Sequence, residues 1–276
     1  MTSASRTRRA ALLVALAVPS ALVLAAGPAQ AADAATVSVL HAIPTGSGAD
    51  VVDVYAGDAL LIDNFTPGTL KTLEVPAGTY DLGVYADGET PAADTPVLEA
   101  KGVAVPAGAN ATVTANLTAA GAPALNVFIN DTSKTAAGQA RVTVRHIAAA
   151  PAVDVRVNGN VAFSDLTNPN EVKTDLAAAS YQADVVLAGT DTVAIGPATL
   201  DLAEGTNTIV YAWGSAEAGN LALATQVISG LHSTPAAVDA GDGSSQSGLP
   251  GWVLGVAVLA AVGAAGAGVR LATTRA

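Results

Sequence analysis

An internal echo limits most strongly what this chain can fold into. Val52–Tyr85 aligns without a gap on Val153–Val186, at a shift of 101 residues. Asp53 meets Asp154, Val54 meets Val155, Phe65 meets Leu166, Tyr80 meets Tyr181 and Val84 meets Val185. A second block follows in the same order, "VPAGANATVTA" (105–115) on "LAEGTNTIVYA" (202–212), pairing Gly108 with Gly205, Asn110 with Asn207 and Val113 with Val210. The shift there is 97, so one intervening loop is shorter in the second copy. The chain is a tandem duplication, a pattern to be sought before any other. The roughly 200 residues left after setting aside both ends suffice for two β-domains of ordinary size.

Each copy reads as strands. "VSVLH", "VVDVYA", "TLKTLEV" and "TYDLGVYA" in the first, with "RVTVRH", "AVDVRV", "EVKTDL" and "NTIVYAW" in the second, are short, partly alternating runs near Gly, Pro, Asn or Asp. No segment between the two ends keeps a 3.6-residue apolar period over a helix length. Turn signals about every ten residues favour a sandwich or barrel over a parallel α/β sheet. The expected fold is all-β: two tandem antiparallel β-sandwiches of immunoglobulin-like, Greek-key type, over 36–130 and 141–231, plus one C-terminal transmembrane helix. The polar stretch 131–140 reads as the linker between them. In "PAGTY" the Pro-Ala-Gly makes a turn and Tyr80 opens the next strand; Tyr181 holds the same place, and either hydroxyl can bond back across its corner.

Only three histidines occur, and two stand at matching points, each closing a strand ahead of a Val-Asp-Val start. His41/Asp53 and His146/Asp154 are therefore either two copies of an active site or two copies of a structural device. Strand parity separates the pairs. Val37, Val39 and His41 share a face, as do Val142, Val144 and His146, whereas Thr143 and Arg145 take the other. Val52 and Val54 point inward, as do Val153, Val155 and Val157, which sends Asp53, Asp154 and Arg156 outward. The favoured reading is a buried neutral imidazole bonded to backbone groups of its loop, with the Asp anchoring a turn or neighbouring strand. Catalysis finds little else to build on. There is no cysteine, no Gly-x-Ser-x-Gly elbow, and one His per domain against the three or four ligands of a zinc site. No catalytic residue, metal site or cofactor is assigned. Tyr55, Tyr85, Tyr211 and Trp213 are the aromatics available for a sugar platform, and core packing is the preferred role for most of them.

Both ends suggest export. Residues 1–31 have the basic start (Arg6, Arg8, Arg9), apolar stretch and Ala-Gln-Ala close of a signal peptide. Residues 249–269 are free of charge and long enough to cross a bilayer. Trp252 sits near one boundary, and Arg270 and Arg275 follow the other, which places the 270–276 tail in the cytoplasm. Residues 232–248 read as a flexible stalk. "LPGW" (249–252) lacks the Thr-Gly pair of a wall-sorting signal, so cell-wall attachment is the lesser alternative to a retained single-pass anchor. Between the ends, seven basic residues face 23 acidic ones, a formal charge of −16 that keeps the domains soluble and opposes nucleic-acid binding.

The strand–His–loop–Val-Asp-Val opening, in "VLHAIPTGSGADVVDVYAGD" (39–58) and "VRHIAAAPAVDVRVNG" (144–159), followed by a "PAGTY"-type turn, resembles the bacterial secreted domain DUF4397. The resemblance extends over nearly the whole ectodomain as two units and implies an exported β-domain. It carries no activity, because the family has none established. Thr45 stands where the family has an acidic residue after the loop proline. The functional expectation is a non-enzymatic surface protein serving adhesion, envelope structure or protein–protein contact, with an envelope protein or wall glycan as partner. An extracellular ligand- or carbohydrate-binding module is the first alternative, and a hydrolase with an unrecognised site the second.

Overall fold

A computed structural model describes residues 34–233. The stretches read above as signal peptide (1–31), most of the stalk (232–248), transmembrane helix (249–269) and tail (270–276), with Trp252, Arg270 and Arg275, lie outside the described residues. The first repeat supplies β1 (Ala35–Ala42), β2 (Val52–Ala56), β3 (Ala59–Phe65), β4 (Leu70–Val75), β5 (Gly78–Ala86), β6 (Leu98–Val105), β7 (Asn110–Leu117) and β8 (Pro123–Ile129). The second supplies β9 (Gln139–His146), β10 (Val153–Val157), β11 (Asn160–Leu166), β12 (Glu171–Ala177), β13 (Ser180–Leu187), β14 (Val193–Asp201), β15 (Asn207–Trp213) and β16 (Ala222–Ile228). Among the described residues there is no helix long and apolar enough to cross a membrane.

The strands form four four-stranded sheets, and the two repeats use one topology. The first has the orders β4-β1-β7-β8 and β3-β2-β5-β6, the second β12-β9-β15-β16 and β11-β10-β13-β14. The expectation of purely antiparallel sheets fails at one place in each: β1 runs parallel to β7, and β9 to β15. Eight strands in this order also differ from the seven-stranded ABED/CFG immunoglobulin arrangement. After its first strand the chain visits the facing sheet, returns three strands later antiparallel on one side of that strand, and six strands later parallel on the other, a pairing that only a long connection permits.

Alternation places one core in each repeat. Val39 of β1 and Ala115 and Leu117 of β7 pack on Val52, Val54, Phe65 and Val84 of the facing sheet. Val142 and Val144 meet Val153, Val155, Leu166 and Val185 in the second repeat. A third buried cluster forms between the repeats. Leu40 and Ala42, on the opposite face of β1, join Ile147, Ile209 and Tyr211, with Phe128 and Trp213 packed against them. The sheets β4-β1-β7-β8 and β12-β9-β15-β16 are thus covered on both faces, and the described residues fall within one compact unit.

The linker reading of 131–140 changes accordingly. Thr135 bridges to His232, Lys134 Nζ donates to Gly230 O at 2.7 Å, and Arg141 Nη1 lies 2.9 Å from Asp131 Oδ1. Gln139 and Ala140 already belong to β9. This segment is polar because its polar groups bond the second repeat, so a composition typical of a spacer here marks a seam.

Candidate functional site: paired clasps, cavities and a buried seam

Each histidine closes its strand wholly buried and bonded at both nitrogens. His41 Nε2 lies 2.8 Å from Ala49 O and Nδ1 lies 3.4 Å from Ile43 N; His146 Nε2 lies 2.9 Å from Pro151 O and Nδ1 lies 3.4 Å from Ala148 N. A carbonyl only accepts, so Nε2 carries the proton and Nδ1 accepts, which makes each ring neutral. Burial holds both below the ordinary imidazole value, against the opposing bonds to Ala49 O and Pro151 O and, for His41, the charge of Asp50. Each ring ties the loop ahead of β2 or β10 to the strand before it.

Asp53 and Asp154 take the opposite strand face, as parity requires, but they are not outward in the sense of solvated: only 4% and 6% of each residue is exposed. Asp53 Oδ1 accepts from Asn64 N at 2.9 Å and Oδ2 from Gly88 N at 3.1 Å. Asp154 accepts from Asp165 N at 2.8 Å and Gly189 N at 2.9 Å. Asn64 and Asp165 both stand at φ 53°, a left-handed conformation at the irregular pairing of β3 with β2 and of β11 with β10. One carboxylate therefore fastens a bulge and the turn after β5 or β13. The bonds from Gly189 and then Asp165 hold the Asp154 carboxyl below its usual range. No hydrogen bond joins His to Asp in either repeat among the described residues. Nor does any group of three or more His, Asp or Glu side chains there have the placement to hold a metal.

Tyr80 Oη donates to Pro76 O at 2.7 Å and Tyr181 Oη to Ala177 O at 2.9 Å, each reaching back four residues across its corner. The two rings also line cavities that the sequence reading missed. An apolar cavity of about 270 Å³ lies between the sheets of the first repeat, and one of about 230 Å³ between those of the second. Their cause is side-chain volume. Ala56, Ala59 and Ala115 in the first, with Ala183 and Ala198 in the second, stand at lining positions too short to fill the ~10 Å between stacked sheets.

The seam between repeats is polar at its centre. Arg145, 1% exposed, donates from Nε to Glu171 Oε2 at 2.7 Å, from Nη1 to Tyr211 Oη at 2.9 Å and from Nη2 to Asn130 Oδ1 at 2.9 Å. Its guanidinium also stacks 4.4 Å from the Phe128 ring centroid of the first repeat. Tyr211 Oη donates to Gln226 Oε1 at 2.6 Å, and Gln226 Nε2 donates to Ser38 Oγ at 3.0 Å. Burial raises the Tyr211 phenol, opposed by Arg145 and Thr112. Asn168 Nδ2 adds a bond to Leu117 O at 2.8 Å. Tyr55 and Tyr85, in contrast, pair edge to face at 5.4 Å on the far sheet of the first repeat, mostly buried.

Residues 35–156, from β1 through most of β10, match the family described as a domain of unknown function, DUF4397. These residues belong to the DUF4397 family. No curated protein matches the chain. The DUF4397 match takes in the whole first repeat and then the β9–His146–Asp154 opening of the second. Both His–loop clasps thus lie within the matched residues, along with the linker and Arg145.

Proposed function

We propose that the chain is an exported, non-enzymatic surface protein, held by a C-terminal membrane helix and acting by contact, in adhesion, envelope structure or protein–protein interaction. The second repeat is read as a second DUF4397 copy, on the strength of its likeness to the first and its identical strand order. One observation carries the contact reading: the imidazoles that recur in both repeats are engaged with backbone groups of their own loops, and the carboxylates with backbone N–H groups of neighbouring strands and turns. Such groups organise a scaffold and leave no free base beside a nucleophile. An envelope protein or wall glycan is the partner class.

The lysines test the location. Lys71, Lys101, Lys134 and Lys173 are the chain's full set; three lie in the sandwiches and Lys134 in the segment that joins them. A membrane-impermeant amine reagent applied to intact cells labels them if the sandwiches face outward. Deleting 249–276 then releases labelled protein into the medium. An unlabelled chain in intact cells, or a full-length chain found free in the medium, overturns the anchored-surface reading. Turnover of an ester, peptide or glycoside abolished by His146→Gln overturns the non-enzymatic one.

A further inference from the structure

The two cavities occupy the same place in each repeat although most of their lining residues differ. Tyr80 or Tyr181, pinned by its corner bond, lines one end of each. The strand register shows how that end is left uncovered. Leu73, Val37, Ala111 and Ile129 form one row across β4-β1-β7-β8. Ile129 shares its strand face with Leu125, which lines the cavity, yet it is 60% exposed. In the second repeat Thr174, Val142, Thr208 and Val227 form the matching row, and Val227, in line with the lining residues Leu223 and Thr225, is 58% exposed. A track thus runs from each cavity to the surface along the last strand of the repeat, apolar through Leu125, Val127 and Ile129 in the first and interrupted only by Thr225 between Leu223 and Val227 in the second.

Thr208 adds a polar mark to this end. It stands where the first repeat has Ala111, on the same face of β15 as the lining residue Val210, and its buried Oγ1 has no hydrogen-bond partner. Buried polar atoms ordinarily find one. Apolar cavities of only ~150 Å³ stay dry and take up benzene-sized guests, so these larger ones suit an apolar guest over water. The net acidity of the sandwiches disfavours an anionic head, although Asp184, which lines the second cavity, is itself paired with Arg156.

We propose that each sandwich binds the single alkyl chain of an amphiphile with an uncharged, hydrogen-bonding head. The tail lies between the sheets and the head at the tyrosine-corner end. At ~30 Å³ per methylene-sized group, the first cavity takes up roughly nine carbons of the tail and the second roughly eight. The proposal stands whether or not the chain is anchored in a membrane.

The test uses the full chain in lipid nanodiscs with an alcohol of about ten carbons carrying a terminal diazirine, beside the matching carboxylate. After illumination, mass spectrometry of peptides is expected to place the alcohol on β6 and β8 of the first repeat and on β14 of the second, with the carboxylate labelling less. Ala115→Leu, which fills the first cavity, abolishes label there and spares the second site; Ala183→Leu does the reverse. The spared site reports that the variant is folded. Label confined to 249–269, label unaffected by either filling substitution, or equal labelling by the carboxylate overturns the proposal. Should either variant fail to fold, saturable competition by unlabelled decanol supports the site and non-saturable labelling sinks it.

Discussion

Arg145 Nη2 donates to Asn130 Oδ1 at 2.9 Å across the boundary between the two repeats, from a guanidinium almost wholly out of water. A cation in that position is kept by its partners. Removing it leaves Asn130 and Tyr211 facing an unfilled, desolvated gap, whereas Glu171, about a third exposed, can turn to water. Arg145→Leu is expected to lower stability by about 2 kcal/mol, the order of cost of leaving buried hydrogen-bonding groups without their partner. Arg145→Lys is expected to recover only part, since a single ammonium lacks the planar fork that reaches three acceptors. Urea unfolding followed by far-ultraviolet circular dichroism gives both values.

The same seam predicts cooperative unfolding. Trp213 of the second repeat packs against the Gly68 turn of the first, where a Cβ would come within 3.1 Å of its ring. In a Trp252→Phe background, Trp213 is the sole tryptophan and its fluorescence reports the boundary, while circular dichroism reports both sandwiches. Coincident transitions by the two probes are expected in that background. Separate transitions would mean that the repeats unfold as independent domains.

The buried histidines predict a stability that falls on mild acidification. Each imidazole is held neutral in the folded chain below the ordinary value, so the unfolded chain binds more protons once pH drops below about 6.5. Stability is therefore full above that value and lost as pH falls, by up to ~1.4 kcal/mol per pH unit for each group. Melting temperature against pH from 7.5 to 5 is expected to slope in the wild type and to flatten in the His41→Gln, His146→Gln double variant. A wild type with no slope in that window contradicts the neutral-clasp geometry.

Asp154 acts in a lower window. Its carboxyl is depressed by backbone N–H bonds, so its contribution is present above the ordinary carboxylate range near pH 4 and is lost as pH falls through the folded value. Asp154→Asn keeps the shape but offers one acceptor oxygen to two N–H groups. The variant is expected to melt below the wild type at pH 7 and to converge with it below pH 4. Asp53→Asn is expected to lower the pH 7 melting temperature similarly, because Asn64 and Gly88 make the same demand.

The tyrosine corners predict a smaller effect. Tyr181→Phe removes the donor to Ala177 O at an edge where water can replace it, so a loss of about 1 kcal/mol is expected from urea unfolding. Tyr80→Phe is expected to cost the same, through Pro76 O.

What was legible in the sequence, and what was not, divides along strand faces. Val37–Val39–His41 and Val142–Val144–His146 report one buried face, and the structure puts both histidines at the ends of those stripes. Asp53 and Asp154 lie on the other face, as alternation demands, but their burial depends on a bulge and a turn brought in from other strands. No local pattern encodes that approach. Arg145 was unreadable for a similar reason. A charged residue alternating with valines signals solvent in an isolated strand, and only the neighbouring sandwich makes that face an interior one.

By itself the sequence determined the duplication, the all-β character, the strand starts and the residues that recur at each loop, because these follow from side-chain alternation and turn chemistry within about a hundred residues. The tertiary structure alone decided that the repeats share a third core, that 131–140 is a seam, that β1 and β9 pair parallel to β7 and β15, and that alanines leave a cavity in each sandwich. Those outcomes depend on which faces meet and how much volume lies between them, quantities set by contacts between segments far apart in the chain.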